Sequence, residues 1–75
     1  MAKYNGHDSY NAWNVSLWIN NDEGLYSMAR DYARRFNRAD AARYMVEALE
    51  EIGALRTPDG VRYTVTTVRK AMVGI

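Results

Sequence analysis

The chain has 75 residues, of which 48% are hydrophobic and 12% are aromatic, and its net charge is +1. A chain of this length and composition forms one small globular domain and is not expected to be disordered. It contains no cysteine and a single histidine, His7, so disulfides and zinc sites of the Cys/His type are excluded. A net charge this small does not favour nonspecific binding of nucleic acid.

Residues 1–8 are predicted to form an irregular arm with a turn at Gly6. The arm has no apolar stretch after its lysine, so it does not have the pattern of a signal peptide. No apolar run approaches the roughly 20 residues that span a bilayer. We therefore expect a cytoplasmic protein with no membrane partner.

The segment Tyr10–Asn20 fits two periodicities. Apolar residues alternate from Trp13 to Ile19, as in a strand, but Tyr10, Trp13 and Leu17 also follow helical spacing. We predict a helix, because Asp8 and Ser9 are good N-cap residues. On that helix Tyr10, Trp13 and Leu17 are expected to face the core. Trp18, roughly 140° from Trp13 around the helix, would then be partly exposed.

Two further helices follow. Asn21 is the predicted N-cap of the second, and its apolar positions are Leu25, Met28, Ala29, Tyr32 and Phe36. Asn37 is the predicted N-cap of the third, and Gly53 stands where a glycine commonly follows a helix C-terminus. The apolar stripe of the third helix is Ala42, Met45, Val46, Leu49 and Ile52.

The segment Thr57-Pro58-Asp59-Gly60 predicts a tight turn, since proline presets φ and glycine tolerates a positive φ. Residues 61–63 are predicted to be extended. Thr64 then caps a short last helix, with Tyr63 placed to pack on Val68. Its buried side is predicted to hold Val65, Val68 and Met72. The fold class is mostly α: residues 1–75 form a single-domain bundle of about four short helices, with the TPDG turn before the last.

Catalytic chemistry is not evident in the sequence. Ser9 lies near His7 but serves as an N-cap, and the adjacent carboxylates at positions 22–23 and 50–51 point about 100° apart on a helix. The glycines are isolated and cannot form a phosphate-binding loop. We interpret the protein as a non-enzyme with no cofactor and no metal.

The segment Tyr4–Tyr26 reads YNGHDSYNAWNVSLWINNDEGLY. It resembles the N-terminal signature of a family of small uncharacterised phage and prophage proteins, which has a Tyr-Asn-Gly start, a W-N-V-x-L-W core and an N-D-E-G-L-Y end. The family has no established activity. The resemblance implies an accessory protein of a mobile element, and such proteins often bind and block a host machine, including CRISPR–Cas complexes.

The first hypothesis is therefore a non-catalytic, anti-CRISPR-like inhibitor that occludes a host protein or ribonucleoprotein complex. An exposed tryptophan beside tyrosine and asparagine is typical of a binding hot spot, with the amides at its rim. A homo-oligomer is also compatible with the sequence. The candidate protein-binding residues are Tyr4, Tyr10, Asn14, Trp18, Arg30, Arg34 and Arg35.

The C-terminal segment Ala48–Met72 suggests an alternative. It resembles a helix-turn-helix segment of large serine recombinases in its Gly53, Thr57-Pro58-x-Gly60 and Thr67-Val68-Arg69 elements. The recombinase catalytic domain is absent, so the resemblance implies duplex DNA binding and no recombination. The candidate DNA-binding residues are Arg62, Thr64, Thr66, Thr67, Arg69 and Lys70.

Overall fold

A computed structural model describes residues 9–75. These residues form four helices: α1 (Tyr10–Asn21), α2 (Glu23–Arg35), α3 (Arg38–Glu51) and α4 (Val65–Ala71). Over the same range no strand forms, and Arg56 and Arg62 make one isolated antiparallel bridge. The predicted mostly α fold is confirmed, as is the helix over Tyr10–Asn20. The predicted arm of residues 1–8, with Gly6 and His7, lies outside the described residues.

Polar side chains cap each helix. Ser9, Asn37 and Thr64 cap α1, α3 and α4 as predicted, and Thr64 and Thr67 form a reciprocal capping box. The prediction that Asn21 caps α2 is wrong, because Asp22 takes that position and accepts a hydrogen bond from the Leu25 backbone N–H at 2.9 Å. A carboxylate also interacts more favourably with the positive end of the helix dipole than an amide does.

The helices pack in a closed cycle, in which α1 and α3 each contact both α2 and α4. Alanines at positions 29, 41 and 42 are fully buried, and their small side chains let α2 and α3 approach closely. The largest fully buried apolar side chains come from α1, α3 and α4, and they are Ile19, Met45, Leu49, Val15 and Val68. Val61 and Tyr63 of the connecting segment complete this core.

Helix α1 faces the core with a different side from the one predicted. Its buried apolar residues are Ala12, Val15 and Ile19, whereas Tyr10 is 42% exposed, Leu17 is 37% exposed and Trp13 is only partly buried. The rotation places the β-branched residues inside and also buries Asn14, whose amide binds the TPDG turn. The predicted core of Tyr10, Trp13 and Leu17 is therefore wrong.

Three predicted core residues are exposed because they lie at helix ends. Phe36 and Ile52 are the C-caps of α2 and α3, Val65 is the first residue of α4, and all three are at least 40% exposed. At these positions the chain has already left the packed interior. The glycine after α3 has φ +76°, as the predicted C-terminal position requires. Val68 and Met72 are buried, as predicted.

Candidate functional site

The predicted turn at Thr57–Gly60 forms and fixes the segment that leads into α4. The backbone N–H of Gly60 donates to the Thr57 carbonyl at 2.8 Å, and Gly60 has φ +88°. The Thr57 N–H donates to the Val61 carbonyl at 2.7 Å. Arg56 donates from its guanidinium to the Gly60 carbonyl at 3.1 Å. The turn is therefore a short, internally bonded hairpin.

Two side chains of α1 hold this turn against the helices. Asn14 donates to Asp59 Oδ2 at 2.8 Å, and the Trp18 indole N–H donates to the same oxygen at 2.9 Å. The Thr57 hydroxyl donates to Asn14 Oδ1 at 2.7 Å. Asn14 and Thr57 are buried, so both ends of the amide are used inside the protein. We call Asn14, Trp18, Thr57 and Asp59 the turn network.

The hydrogen bonds of the turn network favour an ionised Asp59. The Asn14 amide, and after it the Trp18 indole, lower the pKa of the Asp59 carboxyl below its usual value. In the neighbouring segment, burial and then the charge of Asp22 raise the pKa of Tyr63 above its usual value. At neutral pH, Tyr63 is therefore a neutral phenol and Asp59 is an ionised carboxylate.

Asn14 does not form part of a binding rim. Its side chain is fully buried and its amide bonds Thr57 and Asp59. The prediction of an exposed amide at this position is wrong, because the amide accepts from the buried Thr57 hydroxyl and donates to Asp59. Trp18 is partly exposed, as predicted. Sequence reasoning did not connect either residue with Asp59, since 45 and 41 positions separate them along the chain.

Trp18 lies at a cleft of about 430 Å³ between α1, α2 and the connecting segment. Most of the lining is apolar, and Asp22 and Arg56 supply its charged groups. Ile52, at 69% exposure, is the most exposed large apolar side chain in residues 9–75. We call this the Trp18 cleft, and its apolar side chains are Trp18, Leu25, Met28, Ile52, Ala54, Pro58 and Tyr63.

Two of the three predicted arginines line a neighbouring cleft. Arg30 and Arg34 line a second, more polar cleft of about 440 Å³ on α2, and Met28 lines both clefts. Arg35 instead forms an ion pair with Asp31 at 3.4 Å. Tyr10 packs on Trp13, with ring centroids 5.6 Å apart. Tyr4 lies outside the described residues.

A second aromatic group, which the sequence analysis did not identify, lies where α2 passes into α3. The Phe36 and Tyr44 ring centroids are 4.7 Å apart, and Tyr32 lies 6.4 Å from each. The guanidinium carbon of Arg43 lies 5.4 Å from the Tyr44 ring centroid. The sequence does indicate part of this group, because the spacing of Tyr32 and Phe36 places them on one helix face. We call Tyr32, Phe36 and Tyr44, with Arg35, Arg38 and Arg43, the basic aromatic corner.

The predicted DNA-binding residues divide into two groups. Thr64 and Thr67 bond each other in the capping box, and Thr67 is buried. Arg62 and Thr66 are exposed. Thr66, Arg69 and Lys70 line a cleft of about 310 Å³ that also includes Arg38 of α3 and the apolar residues Ala39, Val65 and Val73.

Residues 52–64 separate α3 from α4, a far longer connection than the turn of 3–4 residues in a helix-turn-helix motif.

The small net charge conceals a strong separation of charge. Residues 30–43 hold five arginines and two aspartates, and Arg69 and Lys70 share a cleft with Arg38. Together these side chains have seven positive and two negative charges. The remaining side chains of residues 9–75 have two positive and six negative charges, the latter on Asp22, Glu23, Glu47, Glu50, Glu51 and Asp59.

Comparison with known proteins gives one match. A family model described as a family of unknown function (DUF7249) matches residues 1–74. The chain belongs to this family. No curated protein and no solved structure matches the chain. Membership in DUF7249 thus assigns no activity.

Two further observations concern residues 9–75. No three histidine, cysteine, aspartate or glutamate side chains in that range come together as metal ligands would. In the same range, no helix has the length and apolarity needed to cross a membrane.

Proposed function

We propose that this protein is a non-catalytic binding protein, which attaches to a host protein complex through the Trp18 cleft and blocks it by occupying its surface. The observation that carries the proposal is a partly exposed tryptophan in an apolar cleft, with a largely exposed isoleucine in the same lining. Buried tryptophan anchors and apolar pockets at the centre of an interface supply most of the binding energy of protein complexes.

The turn network prepares this surface for binding. The indole N–H of Trp18 is bonded to Asp59 in the free protein, so the ring is already held in one orientation. Ordering a long side chain during association costs about 0.5–1.5 kcal/mol, and that cost is reduced when the side chain is held beforehand. A fixed tryptophan next to Pro58 and Met28 therefore suits a rigid protein partner.

The proposed setting is a phage or prophage, as the N-terminal signature suggests, and the proposed target is a host defence complex. An inhibitor of this kind needs only affinity and bulk. Occlusion is sufficient when the target must bind nucleic acid or another subunit at the covered surface.

The test is photo-crosslinking in host cells from a photoreactive residue at position 52, with position 73 as the matched control. Ile52 and Val73 are 69% and 64% exposed, and only Ile52 lines the Trp18 cleft. We expect one host protein to crosslink from position 52 and not from position 73. Equal crosslinking from both positions would contradict the proposal.

The captured protein, once purified, allows a quantitative test. Ile52→Asp should weaken binding at least about 30-fold, equivalent to about 2 kcal/mol, whereas Val73→Asp should leave it within about threefold. Wild-type protein should also inhibit the purified target at a stoichiometric ratio. Unchanged binding by a folded Ile52→Asp variant would remove the Trp18 cleft from the proposal.

Duplex DNA binding through α4 is a second candidate. The observation in its favour is the cleft that joins Thr66, Arg69 and Lys70 with Arg38. Its test is titration with a mixed-sequence duplex of about 30 base pairs, which is much longer than the stretch of DNA that one recognition helix contacts. Affinity that falls steeply with salt and disappears in the folded Arg69→Glu/Lys70→Glu variant would favour this candidate.

A further inference from the structure

We infer that the basic aromatic corner binds single-stranded nucleic acid. Three aromatic rings lie together where α2 passes into α3, with Arg43 over the Tyr44 ring and with Arg35 and Arg38 close to Phe36 in the sequence. These residues are separate from those of the Trp18 cleft, so the inference does not depend on the proposed function. Proteins that bind single strands combine aromatic platforms for the bases with cations that follow the backbone.

Two of the three rings are partly exposed to solvent. Phe36 is 40% exposed and Tyr44 is 36% exposed, and Tyr32 lies behind them partly buried. Centroid distances of 4.7 and 6.4 Å hold the rings as one contiguous platform, in which Tyr44 stacks on Tyr32, is tilted by 50° from Phe36 and has Arg43 over its ring. Tyr32 packs against the core, whereas the exposed parts of Phe36 and Tyr44 are the ones that can meet a base. Every base has a π-face, so this platform needs no specific sequence.

The charges around the rings favour an anion. Of the three arginines in the corner, Arg35 and Arg43 pair with Asp31 and Asp40 at 3.4 and 3.1 Å. Arg38 also lines the cleft of Arg69 and Lys70, so positive charge continues from the corner to α4. A phosphate backbone could follow this path while its bases stack on Phe36 and Tyr44.

The combination favours a single strand over a duplex. In a duplex the base faces are stacked on one another and are not accessible to a tyrosine or phenylalanine ring. A duplex would therefore use only the cations, whereas a single strand uses both the cations and the rings. If the corner instead bound an acidic protein segment, its apolar area would matter and its aromatic character would not.

The experiment is fluorescence anisotropy with labelled single strands of about 12 nucleotides, poly-U and poly-dT, against a duplex of equal length. Tyr44→Leu and Phe36→Leu keep apolar area but remove the π-face. Tyr26→Leu is the matched control, because Tyr26 is 37% exposed on the first turn of α2, outside the corner. Circular dichroism verifies the fold of every variant.

At low salt we expect single strands to bind with a dissociation constant of about 10 μM, and the duplex at least about tenfold more weakly. Each corner variant should weaken single-strand binding at least about fivefold, and Tyr26→Leu should change it less than about twofold. Arg38→Gln should reduce the log–log salt slope by about 0.7.

Three results would overturn the inference. The first is absence of binding at about 100 μM protein in low salt, the weakest affinity expected for nonspecific contacts. The second is duplex affinity equal to or above that of the single strands. The third is unchanged affinity of both leucine variants, which would indicate charge attraction without stacking. If either leucine variant fails to fold, the other and the salt slope of Arg38→Gln decide the question.

Discussion

The two aromatic regions of this protein differ in what their side chains contact. Trp18 donates its N–H to Asp59 in the turn, whereas Phe36 and Tyr44 contact each other and Tyr44 also contacts Arg43. The first region contains Asp22, Asp59 and Arg56, whereas the second contains three arginines and the two aspartates that pair with them. Aromatic content alone therefore does not identify a binding surface. The polar partners of each ring show whether that ring serves the fold or remains available to a ligand.

Among the substitutions that test this difference, Asn14→Ala is expected to have the largest effect on stability. The substitution removes both hydrogen bonds of a fully buried amide and leaves the Thr57 hydroxyl without its acceptor. The lost hydrogen bonds of the amide and the cavity that alanine leaves should together lower the free energy of unfolding by about 3 kcal/mol. A domain of this size has little more stability than that. Thermal melts and urea titration measure the effect.

Asn20→Ala is the control on the same helix. The Asn20 amide donates to the Ser16 carbonyl at 2.8 Å, but Asn20 itself is exposed. Water can replace this bond, so the expected cost is about 0.5 kcal/mol or less. Equal destabilisation by the two alanines would mean that the turn network does not hold the fold together.

Much of the helical framework can be predicted from local signals. Ser9, Asn37 and Thr64 stand at the caps they were assigned, and the glycines at positions 53 and 60 have the expected positive φ. These features depend on residues within three or four positions of each other. Hydrogen bonding of a helix end or a tight turn is a local property of the chain, so the sequence contains the necessary information.

The rotation of α1 and the two surfaces could not be predicted in this way. Apolar and aromatic residues occur on several sides of α1, so periodicity permits more than one buried face. What selects the observed face is contact with Thr57 and Asp59, more than 40 residues away. The corner likewise requires α3 to fold back on α2, which brings Tyr44 to Phe36. Both features are tertiary, and local patterns do not encode them.

Trp18→Phe should have the next largest effect. Phenylalanine keeps most of the apolar contact in the cleft but cannot donate to Asp59. We expect a loss of about 1 kcal/mol, which corresponds to a fall in melting temperature of about 4–8 °C for a domain of this size. In an Asp59→Ala background the same substitution should cost much less. An equal cost in both backgrounds would show that the indole N–H contributes nothing.

Acid should weaken the turn network selectively. Because the pKa of Asp59 is lowered in the folded state, its contribution to stability is present above the usual aspartate pKa of about 3.9 and is lost as pH falls through the lower folded value. The difference in melting temperature between wild type and Asp59→Ala should therefore shrink as pH decreases through that range. A difference that stays constant or grows in acid would contradict the hydrogen-bonded, ionised Asp59.

The smallest effects on stability are expected in the basic aromatic corner. Phe36→Leu and Tyr44→Leu change side chains that are 40% and 36% exposed, and leucine retains part of the contact between them. Aromatic pairs contribute about 0.5–1.5 kcal/mol beyond their buried area, and partial exposure places these changes near about 0.5 kcal/mol. Melting temperatures should fall by no more than about 4 °C, less than for Trp18→Phe.

The comparison predicts opposite rankings by two measurements: the α1 substitutions dominate the thermal melts, and the corner substitutions dominate single-strand binding. A corner variant that melts as early as Asn14→Ala would show that Tyr32, Phe36 and Tyr44 form an extension of the core, and the division of the molecule into one structural and one exposed aromatic group would be wrong.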